Sequence, residues 1–263
     1  MSPAPPLTLL LLLVQGAGAR AEAPLREISV CDDGSEWPPY TYYLRDGEGR
    51  STGLLTGFAV DVLDAIALRD GVKLRITLLP WARCQMEVEH GQHFQMALNA
   101  SYSEERERKY LLTQAYYSTT HYYFYSRRHV RDGWPIHGLD DLARLQVCGV
   151  RGYNYAAYRI PPERLDMGAR DFASVVTKLH ADRCQVAVEK LEVVAGYRIT
   201  GKDLLADPDL GRAPIPGMPK GEFHMLVSRQ HPQGAALRAW LDAGLKQLRE
   251  RGELQQLQRR YLP

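Results

Sequence analysis

The residues with the clearest chemistry lie in one stretch, Phe94–Arg106, read FQMALNASYSEER. Its first half, FQMAL, is apolar enough for a buried strand. Its second half, SYSEER, has a helix-start pattern. Ser103 is placed to cap the turn, and Glu104 and Glu105 sit in the first turn, where acids suit the positive end of the helix dipole. Asn99, Ala100 and Ser101 fall between the strand and the helix. In open α/β sheets, ligands bind at such junctions, beyond the carboxyl ends of strands. Arg106 follows one turn into the helix. Its rigid fork of five donors suits a carboxylate or phosphate held in two-pronged fashion. Read locally, it is also an exposed arginine in the charged run SEERERK.

The elements that must position this stretch alternate. Arg26–Cys31 (REISVC) predicts a strand, and DDGSEWPPYTYY a loop rich in turn formers and aromatics. Asp46-Gly47-Glu48-Gly49 predicts a hairpin turn. Gly57–Arg69 carries Phe58, Val62 and Ile66 at helical spacing. Val72–Leu79 alternates as a strand, and Trp81–His90 is a short helix ended by Gly91. The order is β-α-β-α-β, the mark of a mainly parallel sheet with crossover helices. Tyr116–Arg128 (YYSTTHYYFYSRR) is strand-like and able to cross between lobes; its tyrosines suit strand packing and a hinge-side wall. A second β-α run follows: helix Leu139–Leu145, strand Gln146–Val150, helix Gly152–Tyr158, helix Phe172–Asp182, strand Gln185–Val188 and a helix from Leu191. Strand Phe223–Val227 and two amphipathic helices, Ala235–Arg249 and Leu254–Tyr261, close the chain. ARCQMEVE at 82–89 echoes DRCQVAVE at 182–189, either by coincidence or as a faint trace of duplication.

The 263 residues, 45% hydrophobic and 24% charged, make one large domain or two modest ones. A net charge of +2 with scattered Lys and Arg gives no field for nucleic acid. Leu7–Val14 (LTLLLLLV) is too short to span a membrane. Small residues follow it, and Ala19-Arg20-Ala21 and Ala21-Glu22-Ala23 both fit a cleavage site. Residues 1–23 therefore read as a secretory signal peptide, although no Lys or Arg precedes the apolar run. The mature protein is expected in a periplasm or secreted. Four cysteines suit that compartment and allow three pairings.

Gly196–Lys202 matches most of a phosphate-binding loop. Asp203 stands where Ser or Thr is needed, and a helix rather than a strand precedes it, so that reading fails. Asn99-Ala100-Ser101 is also a glycosylation sequon. His90 and His93 lack a third ligand at metal spacing, so no metal and no cofactor is expected.

In order and spacing, a set of motifs resembles the extracellular solute-binding proteins of the amino-acid-binding type. The motifs are Trp37-Pro38-Pro39-Tyr40, Gly57-Phe58 with Asp61, Leu79-Pro80-Trp81, Ser103-Glu104-Glu105-Arg106, Ala115-Tyr116-Tyr117, Gly138–Leu142 before Val147–Gly152, and Leu248–Gly252 with Leu254 and Tyr261-Leu262. The resemblance implies an α/β, two-lobed type II periplasmic-binding-protein fold, with two hinge crossovers and the ligand in the cleft between lobes. Lobe one is then residues 24–118 plus 222–263, and lobe two 119–221. The expected disulfides, one within each lobe, are Cys31–Cys84 and Cys148–Cys184.

The resemblance also implies a site. Arg106 holds a ligand carboxylate, helped by Asn99 and Ser101. Trp37 packs on the ligand, Trp81 lines the same wall, and backbone groups at Gly152-Tyr153 complete the carboxylate site. Helix N-termini and an arginine fork suit an anion, and aromatic faces suit an apolar or cationic body. The chain departs from the family pattern in lobe two. Lys190 stands at or beside the expected amino-group acid, Glu189 serves only with a one-residue shift, and two family aspartates read as Gln95 and Gln185. If Lys190 and Arg151 face the cleft, the ligand carries more than one negative group.

The implied function is capture of a small polar, carboxylate-bearing solute, an amino acid or related organic acid. The protein acts as a monomer and not as an enzyme, and delivers the solute to an ABC-type permease or a membrane receptor. The alternatives are a small-acid lyase or dehydratase on the same scaffold, for which Glu189 is the one candidate base, and a stand-alone sensor.

Overall fold

The computed structural model describes residues 25–261. The chain begins with β1 (Glu27–Asp33), a hairpin of β2 (Tyr42–Arg45) and β3 (Ser51–Thr56), α1 (Phe58–Arg69), β4 (Lys73–Leu79) and α2 (Trp81–His90). It continues with β5 (Met96–Ser101), α3 (Glu104–Lys109), β6 (Tyr110–Leu112) and β7 (Tyr117–Thr119). Then come β8 (His121–Ser126), α4 (Leu139–Leu142), β9 (Val147–Val150), β10 (Leu165–Ala169), α5 (Phe172–His180), β11 (Val186–Lys190), α6 (Leu191–Gly196) and β12 (Leu210–Pro214). Last are β13 (Gly221–Ser228), α7 (Gly234–Glu250) and α8 (Glu253–Tyr261). The signal-peptide expectation falls on residues outside those described.

Two main sheets result. The first has the order β4-β1-β5-β13-β6, with β7 also on β13; β1 runs parallel to β4 and β5, and β13 antiparallel to its neighbours. The second has the order β10-β9-β11-β8-β12, parallel about β9 and antiparallel about β8. The chain leaves the first sheet between Thr119 and His121 and returns between Pro214 and Gly221. Each sheet buries an apolar face under helices. On α7, Leu237, Leu241, Leu245 and Leu248 recur at helical spacing and are fully buried, each contributing about 2 kcal/mol of transfer free energy.

Several elements differ from the sequence expectation. β5 runs on through Ser101 because β13, more than a hundred residues later, pairs His224 with Ala100 and Phe223 with Ser101. The expected helix at Gly152–Tyr158 is one 3-10 turn, Ala156–Tyr158. Gly152 turns the chain at φ 79°, and Asn154 Oδ1 accepts from Ala156 N at 3.1 Å, closing a local turn in place of a helix. Leu139–Leu145 is a single helical turn ending at Leu142. Strands β10 and β12 were not expected. Their sequences, LDMGA and LGRAP, are short and carry no β-branched or aromatic residue, and pairing with β9 and β8 makes them strands.

The cysteines pair as Cys31–Cys84, tying β1 to α2, and Cys148–Cys184, tying β9 to the residue two before β11.

Candidate functional site

Carboxyl ends of strands from both sheets face one another across a cavity. It is lined by Asp32 and Asp33 from β1, Asn99 and Ser101 from β5, Arg106 from α3, and Glu189 and Lys190 from β11. Trp37, Trp81, Tyr153, Asn154, Tyr155 and Phe223 complete the wall. In this closed arrangement its volume is about 30 Å³. Wider grooves of about 650 and 540 Å³ flank it on either side of the junction.

Arg106 is built into this cavity. Ser103 Oγ accepts from Arg106 N at 3.2 Å, the helix cap expected from sequence. The guanidinium Nη1 donates to Ser101 O at 2.9 Å and Ser101 Oγ at 3.0 Å, and Nη2 donates to Gln85 Oε1 at 3.2 Å. Its carbon lies 5.6 Å from the centre of the Trp81 ring. Three of five N–H groups are thus committed and two remain. The residue is 7% exposed, and among the described residues it has no carboxylate partner. Burial lowers its pKa to about 10, partly opposed by Tyr110 and Glu105, so it stays charged at neutral pH.

Asn99 occupies a backbone conformation with φ 55°, which asparagine tolerates better than most side chains. Its amide is saturated. Nδ2 donates to Asp32 Oδ2 at 2.6 Å and Thr41 Oγ1 at 2.8 Å, while Oδ1 accepts from Tyr116 OH at 3.0 Å and Tyr117 OH at 2.9 Å. Asn99 therefore orients Asp32 and has no group left for a ligand. Buried and fully bonded, it is closed to glycosylation in the folded protein. The tyrosines holding it are core residues: Tyr117 stacks on Tyr40 at 3.9 Å and on Phe223 at 4.7 Å.

Lobe two contributes Tyr153 in a way the sequence reading missed. Its N–H is used within the turn, donating to Val150 O at 3.2 Å, and is not offered to a ligand. Its side chain reaches across instead: the hydroxyl donates to Asp33 Oδ2 at 2.6 Å, and the ring meets Trp37 edge-on at 5.3 Å. Gly152 O accepts from Gln85 Nε2 at 3.2 Å, and Asn154 Nδ2 donates to Ser101 Oγ at 3.1 Å and Tyr102 O at 2.8 Å. These contacts hold the two sheets together over the cavity.

Arg151 does not line the small cavity; it is exposed and lines one of the wider grooves, which shares Asp33, Trp81 and Tyr153 with that cavity. Lys190 and Glu189 both line the cavity, with no shift needed. Lys190 Nζ donates to Tyr158 OH at 2.8 Å, lies 5.1 Å from that ring's centre and stands 3.9 Å from Glu189 Oε1. Burial pushes Glu189 up and Lys190 down, and their attraction opposes both shifts. Tyr158 OH also meets His121 Nδ1 at 2.8 Å; burial, with Lys190 nearby, pushes His121 down to about 3 and keeps it neutral.

Asp32, Asp33, Gln85, Asn154, Tyr155 and Phe223 went unnamed in the sequence. The rule that picked out Asn99 and Ser101, the carboxyl end of a strand, applied to β1 would have found Asp32 and Asp33. Gln95 and Gln185, noted as departures, have structural roles. Gln95 Oε1 accepts from Ser29 N at 2.6 Å, and Gln185 Oε1 from Gln146 N at 2.8 Å, each stitching neighbouring strands at the end away from the cavity.

Two α/β sheets joined by two crossovers, with polar groups from both converging on the gap, define a two-lobed solute-binding protein. The chain belongs to the bacterial extracellular solute-binding proteins, family 3, whose model matches residues 28–263. It is similar to a probable amino-acid-binding protein, YxeM, of Bacillus subtilis (strain 168), at 30% identity over 108 residues. That match covers 41% of this chain and 39% of the relative, about two fifths of the relative's length. Among solved structures, the substrate-binding protein of an amino acid ABC transporter superposes with a TM-score of 0.70 at 20% identity, covering 90% of this chain and 99% of that one. A histidine kinase sensor domain with similarity to periplasmic binding proteins gives 0.72 at 25% identity, covering 90% and 96%. Among the described residues, no helix is long and apolar enough to cross a membrane.

Proposed function

We propose that this protein captures a small carboxylate-bearing solute, an amino acid or a related organic acid, between lobes 24–118 plus 222–263 and 119–221, and presents the closed form to an ABC-type permease. One observation carries this reading. Arg106 is buried in the inter-lobe cavity with two donors free and, among the described residues, no carboxylate against it. A buried charge is costly unless paired, and the anion that pairs it comes from outside the chain. The amino-acid-binding relative and the ABC transporter substrate-binding neighbour support the same class of solute. The sensor-domain likeness makes a membrane receptor the alternative reader of the closed form.

Binding without turnover fits the lobe-two carboxyl. The candidate base Glu189 is not free: it accepts from Lys190 N at 2.8 Å with the Lys190 ammonium beside it, which supports binding over catalysis at that residue.

Titration calorimetry with amino acids and small carboxylic acids tests the proposal. Removing Arg106 leaves a ligand carboxylate unpaired and costs about 2–5 kcal/mol of binding free energy. Arg106→Ala binding the best solute as tightly as the parent would reject the assignment, and conversion of that solute would reject the non-enzymatic reading.

A further inference from the structure

Arg106 borders more space than the small cavity. At about 30 Å³ that cavity has room for about two water molecules, whereas pockets for organic ligands run to roughly 300–1,000 Å³. Of the two wider grooves beside it, only one reaches Arg106. The groove of about 650 Å³ shares Arg106, Tyr153, Asn154 and Tyr155 with the cavity. Its apolar lining is Met86 of α2 on lobe one, with Ile160, Pro162, Leu165 and Met167 on lobe two. Met86 and Met167 are 48% and 43% exposed, so a large apolar side chain is left uncovered on each lobe. Uncovered apolar groups gathered in one place mark a binding surface, and the unbranched thioether of methionine adapts to more than one shape. The lobe-one charges beside them pair with each other: Lys109 lies 3.6 Å from Glu89 and 3.1 Å from Glu105. The groove of about 540 Å³ differs in kind. Arg151, Arg170, Lys202, Asp33, Glu36 and Asp171 make its lining charged, and Arg106 is not part of it.

We infer that the groove between α2 and residues 160–167 takes the apolar body of the solute, so that the protein selects a carboxylic acid with an extended apolar chain, its carboxylate on Arg106 and its chain between Met86 and Met167. This rests on the solute-binding reading above and adds the size and polarity of the part of the solute that Arg106 does not hold. Arg106 is the junction. Its bonds to Ser101 and Gln85 fix the fork, two N–H groups remain, and the side chain lines both spaces. A carboxylate there has little room to extend inward, where Trp37, Tyr153 and Phe223 close the cavity. Outward it meets the methionines. The walls of the groove come from both lobes, so a chain lying in it is covered on both sides only when the lobes are closed. Burial of that chain therefore adds to the free energy of closure.

The test is calorimetric titration of the full chain at pH 7 with two homologous series: straight-chain acids from acetate to decanoate, and the matching α-amino acids from glycine to α-aminodecanoate. In whichever series binds, the dissociation constant should fall about twofold for each added methylene, against roughly fourfold for complete burial, or about 30-fold from the pentanoate to the decanoate member. The alcohol of the same length should bind about 30-fold or more weaker than its acid, since it leaves Arg106 unpaired. Met86→Gln combined with Met167→Gln should weaken binding of the decanoate member about tenfold. Leu54→Gln, the same kind of change at a leucine 64% exposed on β3, should leave it unaltered. An affinity that is flat or falls with chain length, an alcohol that binds as tightly as its acid, or an unchanged affinity in the double variant would each overturn the inference. Short acids that still bind through Arg106 would then keep the underlying reading, with the groove left as a face for a protein partner. No binding by either series, or binding indifferent to Arg106→Ala, overturns that reading as well. Both methionines are exposed, so replacing them removes little packing, and the chain-length series needs only the parent protein.

Discussion

Replacing Asp32 with asparagine should stabilise the protein at neutral pH and do so progressively less as the solution is acidified. Burial raises the Asp32 carboxyl from 3.8 to about 7, with a further rise from Asp33, while Thr41 and Asn99 pull the other way. A group whose folded pKa is raised binds its proton more tightly in the folded state. Its contribution is fully present below the unfolded value near 4 and declines as pH rises toward 7, at about 1.4 kcal/mol per pH unit. Above pH 7 the folded protein carries a cost of about 4 kcal/mol from the ionised carboxyl, following from the shift of 3.8 to about 7. Asparagine carries no such cost, and its Oδ1 keeps the bond from Asn99. Asp33 and Glu189, also raised by burial, are present in both proteins and largely cancel in the difference. Urea unfolding of parent and variant at pH 4.5, 6 and 7.5, with disulfides intact, measures it. The stability gap should widen by about 3 kcal/mol across that range, in favour of the variant at the alkaline end. A gap constant to within about 1 kcal/mol would show that the folded protein does not hold this carboxyl protonated, and the burial argument would fail.

Two further outcomes follow from the packing. A Cβ added at Gly196, on α6, would collide with the Pro38 carbonyl of the other lobe, so Gly196→Ala should hold the lobes apart; small-angle scattering should show a larger radius of gyration, and solute binding should weaken although no cavity residue has changed. Removing either disulfide by paired Cys→Ser substitution should cost about 4 kcal/mol in urea unfolding, from loop separations of 53 residues for Cys31–Cys84 and 36 for Cys148–Cys184. A loss below about 1 kcal/mol would mean that the unfolded chain gains little freedom from the cut.

Much of the fold was legible because its signals are local. The helical spacing in Gly57–Arg69, the stop at Gly91 and the turn at Asp46–Gly49 depend only on near neighbours. β10 and β12 were invisible because their strand character comes from partners distant in sequence. The site divides the same way. Arg106, its Ser103 cap and Ser101 sit within six residues of one another, and the sequence placed them together. Asp32 meets Asn99 across 67 residues and Tyr153 meets Asp33 across 120, and no local pattern announces such pairs. Arg151, one residue beyond a buried strand end, lines a wider groove beside the small cavity rather than the cavity itself.

The deeper regularity also lay in the sequence, but out of the register in which it was sought. The echo between residues 82–89 and 182–189 joins a helix to a segment leading into a strand, so it is not structural. The true counterpart of Gln185–Glu189 (QVAVE) is Gln95–Asn99 (QMALN). In the first sheet Val30 and Cys31 pair with Met96 and Ala97, and in the second Val147 and Cys148 pair with Val186 and Ala187. Each run begins with the glutamine that stitches it to its neighbour. Asn99 and Glu189 are then equivalent strand-end positions facing the same cavity, and Asp32 is equivalent to Gly149. A side chain at Gly149 would strike the ring of Tyr155, so lobe two fills with an aromatic the place where lobe one holds a carboxylate. The polar duty is divided to match: lobe one spends its amide on orienting Asp32, and lobe two matches its own carboxylate with Lys190. Among the described residues, an acceptor with an open valence therefore lies on the lobe-one side of the cleft, at Asp32 Oδ1.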